Sequence, residues 1–272
     1  MNIHVLGTAA FEGIPALFCG CETCKQAIES GGRNIRTRTS IMIDGELKID
    51  FPPDTYLHML RDGLDLDKVK DLLFTHSHSD HLYAEDLVAR LNGYAQSGDE
   101  PIHVYGHDNV LAKCMQVLAL EGGPKNKFEF HRVQPFERCQ MQTASILPLP
   151  AGHAALETCL VYVIEKNGKT IFHGHDSGWF PDSTWEKLKE QKLDFVILEC
   201  TTGRSPNRYG HMNVDAVLET RQWMEENGVL NPGAQMIVTH FSHNAHLLHE
   251  DLVAIFEPHG IQVAYDGMIV EL

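Results

Sequence analysis

The sequence has no apolar run approaching the roughly 20 residues that a membrane-spanning helix requires. It also has no excess of basic residues, because 22 Lys and Arg stand against 37 Asp and Glu, for a net charge of −15. Loose binding to nucleic acid or anionic lipid depends on a basic surface, so both classes of partner are disfavoured. The segment 1–7 has neither a basic region nor a cleavable apolar region, which predicts no signal peptide and a cytoplasmic location.

A disulfide framework is not expected. The seven cysteines in 272 residues are an odd number, and no export signal accompanies them. Clustered cysteines are therefore expected to be metal ligands or reduced thiols. Repeats, low-complexity segments and linkers are absent from the sequence, so we expect a single domain over residues 1–272. In contrast, histidine is abundant, with 17 residues, many of them in tight groups.

Short apolar runs bounded by turn residues predict strands along the whole chain. They cover 2–7, 39–44, 46–49, 71–75, 102–105, 127–133, 145–149, 160–165, 170–172, 195–198, 235–239, 261–264 and 268–270. Helical spacing and capping residues predict helices over 84–97, 107–120, 182–191, 214–227 (after Asn213 as N-cap) and 247–257. Strand clusters followed by helices in both halves indicate two packed sheets with helices outside, in an α/β or α+β fold.

A group of four metal-ligand side chains directly follows the apolar strand at 71–75. The segment Thr-His-Ser-His-Ser-Asp-His at 75–81, called the histidine loop below, contains His76, His78, Asp80 and His81. The first two histidines can converge on one cation, and the last two residues can turn toward a second. This mixture of nitrogen and oxygen donors suits Zn²⁺, Mn²⁺ or Fe²⁺. A loop of solvated histidines is the alternative, and the density of ligand types favours a metal site.

The pattern of the histidine loop resembles the signature of the metallo-β-lactamase superfamily. The resemblance implies an α+β fold, namely the metallo-β-lactamase-like four-layer αββα sandwich. It also implies a site for two divalent metals, Zn²⁺ or Mn²⁺, at one edge of the sheets. Further ligands in the family's order would be His153, the bridging carboxylate Asp176 and His240. The full set implied for this dinuclear site is His76, His78, Asp80, His81, His153, Asp176 and His240.

The chemistry implied by this site is hydrolysis. Two cations that share a bridging carboxylate lower the pKa of a shared water toward ~7 and polarise a substrate oxygen. We therefore expect attack by metal-bound hydroxide, with Asp80 or Asp176 orienting the nucleophile. The sequence contains neither a glycine-rich phosphate loop nor a Ser/His/Asp nucleophile elbow, which are the sequence signs of other mechanisms.

A second cluster, Cys19, Cys21 and Cys24, provides three thiols close together near the N-terminus. Three thiolates need a fourth donor to complete a closed tetrahedral zinc site, whose role would be to hold a loop. A redox pair or unligated thiols are the alternatives. The cluster resembles that of the PhnP-type phosphoribosyl cyclic phosphodiesterases, and this resemblance implies His243 as the fourth ligand of a structural zinc. His246 and His249 lie nearby in sequence and compete for that role.

His211 matches the histidine that acts as general acid in phosphodiesterases of this superfamily, so the resemblance implies that role here. A histidine whose pKa is near neutral pH can protonate a departing alkoxide. The alternative is a histidine near a helix start with no catalytic duty. Arg204 and Arg208 precede it and either bind the substrate phosphate or lie in solvent.

Together these features favour a metal-dependent phosphodiesterase that acts on a small cyclic or ribose-linked phosphodiester. We expect no membrane and no nucleic-acid polymer as partner, and the resemblance implies a homodimer. Three alternatives share parts of the pattern. A lactonase or thioester hydrolase and a tRNA-processing nuclease share the histidine loop, and a non-catalytic carrier like PqqB shares the cysteine cluster.

Overall fold

The computed structural model of the chain describes residues 1–124 and 126–272. Its strands form two seven-stranded sheets. The first sheet contains β1 (Asn2–Gly7), β2 (Ser40–Ile43), β3 (Leu47–Ile49), β4 (Asp71–Leu73), β5 (Ile102–Gly106), β6 (Phe128–Arg132) and β14 (Met268–Glu271). The second contains β7 (Cys139–Gln140), β8 (Ser145–Pro150), β9 (Leu160–Lys166), β10 (Lys169–Gly174), β11 (Leu193–Glu199), β12 (Leu230–Thr239) and β13 (Gln262–Val263). The helices are α1 (Glu22–Ser30), α2 (Thr55–Asp62), α3 (Asp108–Leu120), α4 (Asp182–Leu188), α5 (Val214–Glu226) and α6 (His249–Phe256).

Each sheet contains both parallel and antiparallel pairs of strands. The parallel strands determine at which edge of the sheet the following chain segments lie. The strand orders are β14-β1-β2-β3-β4-β5-β6 and β13-β12-β11-β10-β9-β8-β7. Strands β3 to β6 run parallel in the first sheet, and β10 to β13 run parallel in the second. Segments that follow parallel strands leave the sheet at the same edge, so residues distant in sequence meet there.

Alternation along the strands separates three cores. Along β11, Phe195 and Ile197 face the core between the two sheets, whereas Val196 and Leu198 face the core beneath α4, α5 and α6. A third core lies under α3, against the outer face of the first sheet. The three cores therefore separate four layers in the order helix, sheet, sheet, helix. This order confirms the predicted α+β fold and its four-layer αββα sandwich.

The predicted strands match observed strands to within a few residues, and the helices at 107–120, 182–191 and 247–257 correspond to α3, α4 and α6. The prediction for α5 is confirmed in detail, because the Asn213 side chain accepts a hydrogen bond from the backbone N–H of Ala216 at 2.8 Å. The prediction of a helix over 84–97 is wrong. Ala84–Arg90 is a 3-10 helix, and its end at an extended Leu91, before the turn at Gly93, breaks the helical period.

Helices α1 and α2 were not predicted, because neither has an apolar buried stripe. In α2 the buried side chains are Thr55 and His58, while Tyr56, Leu57 and Leu60 are exposed. None of the helices in the described part of the chain combines the length and the apolar character needed to span a membrane.

Buried His58 makes the stability of the fold depend on pH. Burial, together with the charges of Lys48 and Arg61, lowers the pKa of His58 to about 2, and its Nε2 lies 2.7 Å from Thr37 Oγ1. The unfolded chain binds a proton here below about pH 6.5 and the folded chain does not, so stability falls as the pH drops below that value. Relative to His58→Gln, we expect the wild-type free energy of unfolding to decrease by about 2 kcal/mol between pH 6.5 and 5. Urea unfolding at several pH values measures this difference; a difference independent of pH would contradict it.

Candidate metal centre

The seven ligands predicted for the dinuclear site meet at one edge of the sandwich. The histidine loop follows the carboxyl end of β4, His153 follows β8, Asp176 follows β10 and His240 follows β12. Because β10 and β12 both pair in parallel with β11, the segments after them emerge side by side. The topology thus brings together residues that are more than 160 positions apart in the sequence, from His76 to His240.

His76, His78 and His153 form the first group of donors. His153 Nε2 lies 3.2 Å from His78 Nδ1, and the ring centroids of His76 and His78 are 4.4 Å apart. One donor atom from each residue lies within 4.8 Å of the others. Ligands 2.0–2.1 Å from one zinc ion have such spacings, at about 3.3 Å between nitrogens.

Asp80, His81, Asp176 and His240 form the second group, and all four are buried. His81 Nε2 lies 3.3 Å from Asp80 Oδ2, and His240 Nε2 lies 3.1 Å from Asp176 Oδ1. The other carboxylate oxygen of Asp176 lies 3.4 Å from His76 Nε2, in the first group. Asp176 therefore touches both groups, which is the placement that a bridging carboxylate requires.

Buried atoms without hydrogen-bond partners test whether these residues fit two cations. Among the described residues, Nε2 of His76, His81 and His240 and Oδ1 of Asp176 are buried and make no hydrogen bond. A buried polar atom without a partner costs roughly 1–3 kcal/mol, so a cluster of them needs a further occupant. Two divalent cations would satisfy all four atoms at once. The donors thus fit a pair of metals of the zinc or manganese type.

Two of these ligands also adopt a backbone conformation that few residues tolerate. Asp176 has φ of 51° and His240 has φ of 55°, both in the left-handed region. Such strain persists where surrounding structure fixes it and clusters at functional sites. Close packing at Gly178, two residues after Asp176, helps to hold the backbone in this conformation. A β-carbon at Gly178 would lie 2.7 Å from the backbone nitrogen of Gly210.

Asp50 orients the second group and was not predicted. Its Oδ2 lies 2.7 Å from His81 Nδ1, and its Oδ1 accepts a hydrogen bond from the Thr75 backbone at 2.9 Å. A carboxylate on the far nitrogen of a ligand histidine fixes the ring orientation and the tautomer. The sequence signal that could have indicated it is that Asp50 directly follows the apolar strand predicted over 46–49, as the histidine loop follows its strand.

His211 stands beside the donors and is held by Glu199. His211 Nδ1 lies 2.8 Å from Glu199 Oε1 and 3.5 Å from Asp176 Oδ1. Burial opposes the charged form, but the Glu199 carboxylate outweighs it and raises the pKa of His211 to about 9. Glu199 is the last residue of β11 and is fully buried. The Glu199 carboxylate therefore favours the charged form of His211.

A cavity of about 380 Å³ gives access to the donors. It is lined by Ala10, Phe11, Glu12, His78, Ser79, Asp80, His153, Asp176, Thr201, His211 and His240. Neither Arg204 nor Arg208 lines it. The Arg208 guanidinium lies 2.8 Å from Glu219 Oε2 and over the Trp179 ring, and Arg204 is exposed. The structure therefore does not bring these two arginines to the cavity, where the predicted phosphate-binding role would need them.

The three clustered cysteines meet His243. The Sγ atoms of Cys19 and Cys21 lie 3.6 and 3.4 Å from His243 Nδ1, and Cys24 completes a group within 4.8 Å. The backbone of Cys24 and then His243 lower the pKa of Cys21 to about 6, whereas burial raises the pKa of Cys24 to about 11. A cation that replaces the proton would stabilise both thiolates.

The two competing histidines make other contacts. His246 Nδ1 lies 3.1 Å from Thr23 Oγ1, and His249 Nδ1 lies 3.0 Å from Arg36 Nη2. Among the three candidates, the geometry therefore favours His243 as the fourth donor. Its Nε2 lies 3.7 Å from Glu12 Oε1. Because Glu12 lines the cavity, the cysteine cluster lies next to part of the cavity wall.

Replacing Cys21 with serine is expected to remove one zinc per chain and to lower the free energy of unfolding by several kcal/mol, on the order of 3–5, because a structural zinc contributes folding energy directly. Metal analysis and thermal unfolding measure both effects. Cys139→Ser is the matched control, since Cys139 is half-buried and outside the cluster. Equal zinc content in the two variants would contradict the assignment.

Comparisons with known proteins agree with the fold. The sequence pattern of the beta-lactamase superfamily domain matches residues 49–241, so the chain belongs to this family. It is a hydrolase of the metallo-β-lactamase superfamily, close to the PhnP type. The search of curated protein sequences finds no match.

Three similar solved structures each match the whole chain. A diphosphatase from the PhnP family is 25% identical, with a TM-score of 0.76 and coverage of 100% of this chain and 97% of that one. Zn²⁺-bound PqqB from Methylobacterium extorquens is 18% identical (TM-score 0.73, full coverage of both chains). The short form of human tRNase Z is 14% identical (TM-score 0.69, coverage 100% and 99%). The last two likenesses show the shared fold alone.

Proposed function

We propose that the chain is a dinuclear metal-dependent phosphodiesterase that acts on a small cyclic or ribose-linked phosphodiester. The observation that carries the proposal is the His211–Glu199 pair, 2.8 Å apart, at a cavity that also exposes the donors of the dinuclear site. A protonated histidine beside such a site meets the need of a phosphodiester, whose leaving alkoxide must receive a proton.

When bound, two divalent cations would activate a water near neutral pH and polarise the phosphoryl oxygens. The chain's own residues supply the rest. His76, His78 and His153 would hold one cation, and His81 and His240 would hold the other with Asp80. Asp176 would touch both and, with Asp80, would offset their charge. Asp50 keeps the His81 ring in place from behind.

His211 would transfer the proton to the leaving group. In the charged imidazolium both nitrogens are donors. Nδ1–H donates to Glu199, which leaves Nε2–H as the proton for the departing alkoxide. Because the reaction consumes this proton, the Glu199 carboxylate supports activity by favouring the charged ring before the bond to the leaving group breaks.

The size and charge of the surroundings favour a small substrate. A cavity of about 380 Å³ has the volume of a typical small-molecule site. The net charge of −15 disfavours tRNA, which needs several basic contacts. Phe11, whose side chain is 61% exposed at the cavity wall, offers an apolar surface for a ribose or a base.

Hydrolysis of a diphosphate is a second candidate. It is favoured by the likeness to the PhnP-family diphosphatase, at 25% identity over the whole chain. The same donors and the same cavity would serve a phosphoanhydride. Since the leaving group of a diphosphate is an anionic phosphate, it depends less on His211 than an alkoxide does.

Substrate comparison tests the proposal. We expect a ribose cyclic phosphate to be hydrolysed with kcat/KM at least about 100-fold above that of homoserine lactone or an acyl thioester, because two cations would stabilise the anionic phosphoryl oxygens more strongly than a neutral acyl carbonyl. A higher rate on a dinucleoside diphosphate would favour the second candidate. A higher rate on the lactone or the thioester would contradict both.

A further inference from the structure

A third group of donor side chains lies on the first sheet, away from the cavity. His103 belongs to β5, and Glu129 and His131 belong to β6, the edge strand of that sheet. The parallel register pairs His103 with Glu129 and Tyr105 with His131. Since residues paired in this way point to the same face of a sheet, the two histidines and the glutamate project together.

The donor atoms of this group already lie at ligand spacing. His103 Nδ1 is 2.8 Å from His131 Nε2. The Glu129 carboxylate lies 3.8 Å from His103 Nδ1 and 3.9 Å from His131 Nε2. Ligands around one zinc ion are separated by about 3.3 Å when each bond is 2.0–2.2 Å long. Small side-chain rotations would therefore place all three donors on one cation.

The surroundings favour a cation at this point. Asp71 on β4 pairs with His103 in the parallel register and is fully buried. Its Oδ2 accepts hydrogen bonds from Thr143, but its Oδ1 has no partner in the described part of the chain. The Tyr105 ring stacks on His131 with centroids 4.6 Å apart, which restricts the imidazole. A buried carboxylate and a restricted ligand both favour metal binding.

We propose that His103, Glu129 and His131 bind one divalent cation of the zinc type, in a site separate from both the dinuclear site and the cysteine cluster. His103 pairs with the first residue of β4, whereas the histidine loop follows the last residue of that strand, so the two sites lie toward opposite ends of it. Two imidazoles and a carboxylate leave a fourth position open to water. The cation would join edge strand β6 to β5.

Calorimetric titration of Zn²⁺ into protein whose tight zinc sites are already filled tests this proposal. The wild type is expected to bind one further Zn²⁺ per chain. His131→Gln should weaken that step by about 100-fold or more, since it removes a direct ligand. Glu129→Gln is the second variant and should also weaken this step. Its side chain is 57% exposed and the change preserves its volume, so the variant is expected to fold.

His259→Gln, which replaces an exposed histidine outside the donor groups described above, should bind the further Zn²⁺ as the wild type does. Absence of a further binding step in the wild type would overturn the proposal. Equal binding by the wild type, His131→Gln and Glu129→Gln would also overturn it, because the Zn²⁺ would then bind elsewhere. Neither result depends on the reaction at the dinuclear site.

Discussion

Replacing Asp176 with asparagine is expected to lower the rate of phosphodiester hydrolysis on the order of 10³-fold and to release metal from the dinuclear site. The carboxylate oxygens of Asp176 lie 2.7 Å from His81 Nε2 and 3.1 Å from His240 Nε2. The other donor group is also within reach, at 3.4 Å to His76 Nε2. An amide keeps the shape but removes the negative charge and one of the two acceptor oxygens, so the side chain could no longer bind both cations.

Steady-state kinetics and metal analysis measure the two effects together. The zinc of the cysteine cluster should be retained, because Asp176 makes no contact there. Asp215→Asn, an exposed aspartate at the start of α5, is the matched control and should leave rate and metal content unchanged. An Asp176→Asn variant that keeps its metal and a rate within about tenfold of the wild type would show that the carboxylate does not bridge.

Replacing His211 with asparagine is expected to lower kcat by about 10²- to 10⁴-fold for a ribose phosphodiester, the usual contribution of a general acid. The metal content should not change. The loss should be much smaller for a p-nitrophenyl phosphodiester, because p-nitrophenolate departs without a proton. This dependence on the leaving group separates proton transfer from a purely structural effect of the substitution.

Glu199→Gln extends the same test to the residue that holds His211. Without the carboxylate the pKa of His211 falls from about 9, so activity on the ribose phosphodiester should decline at a lower pH than in the wild type. Equal losses on both classes of leaving group for His211→Asn would contradict the role of His211 as a general acid.

Local patterns in the sequence predicted most of the strands and marked candidate donors at the strand ends, for a common physical reason. A buried strand is a short apolar run, and a ligand that follows it is a polar residue at an abrupt end of that run. His76 after β4 and Asp176 after β10 show this. Local patterns do not show which of these residues meet; the resemblance to the metallo-β-lactamase superfamily implied that.

Features that depend on distant contacts could not be predicted in this way. Helix α2 buries Thr55 and His58 and exposes apolar side chains, because its buried face meets polar groups. Two arginines near His211 suggested a phosphate site, but Arg208 is engaged by Glu219 from α5 and by Trp179. The roles of such residues are decided by partners that the sequence pattern does not reveal.

The measurement that tests the account most directly is hydrolysis of bis(p-nitrophenyl) phosphate by the Zn²⁺- and Mn²⁺-loaded protein, beside Asp80→Ala. Asp80 lies in the second donor group, 3.3 Å from His81 Nε2, and lines the cavity. We expect hydrolysis by the wild type and a loss on the order of 10³-fold in the variant. Intact substrate in the presence of folded, metal-loaded wild type, or equal rates for the two proteins, would contradict phosphodiester chemistry at the histidine loop.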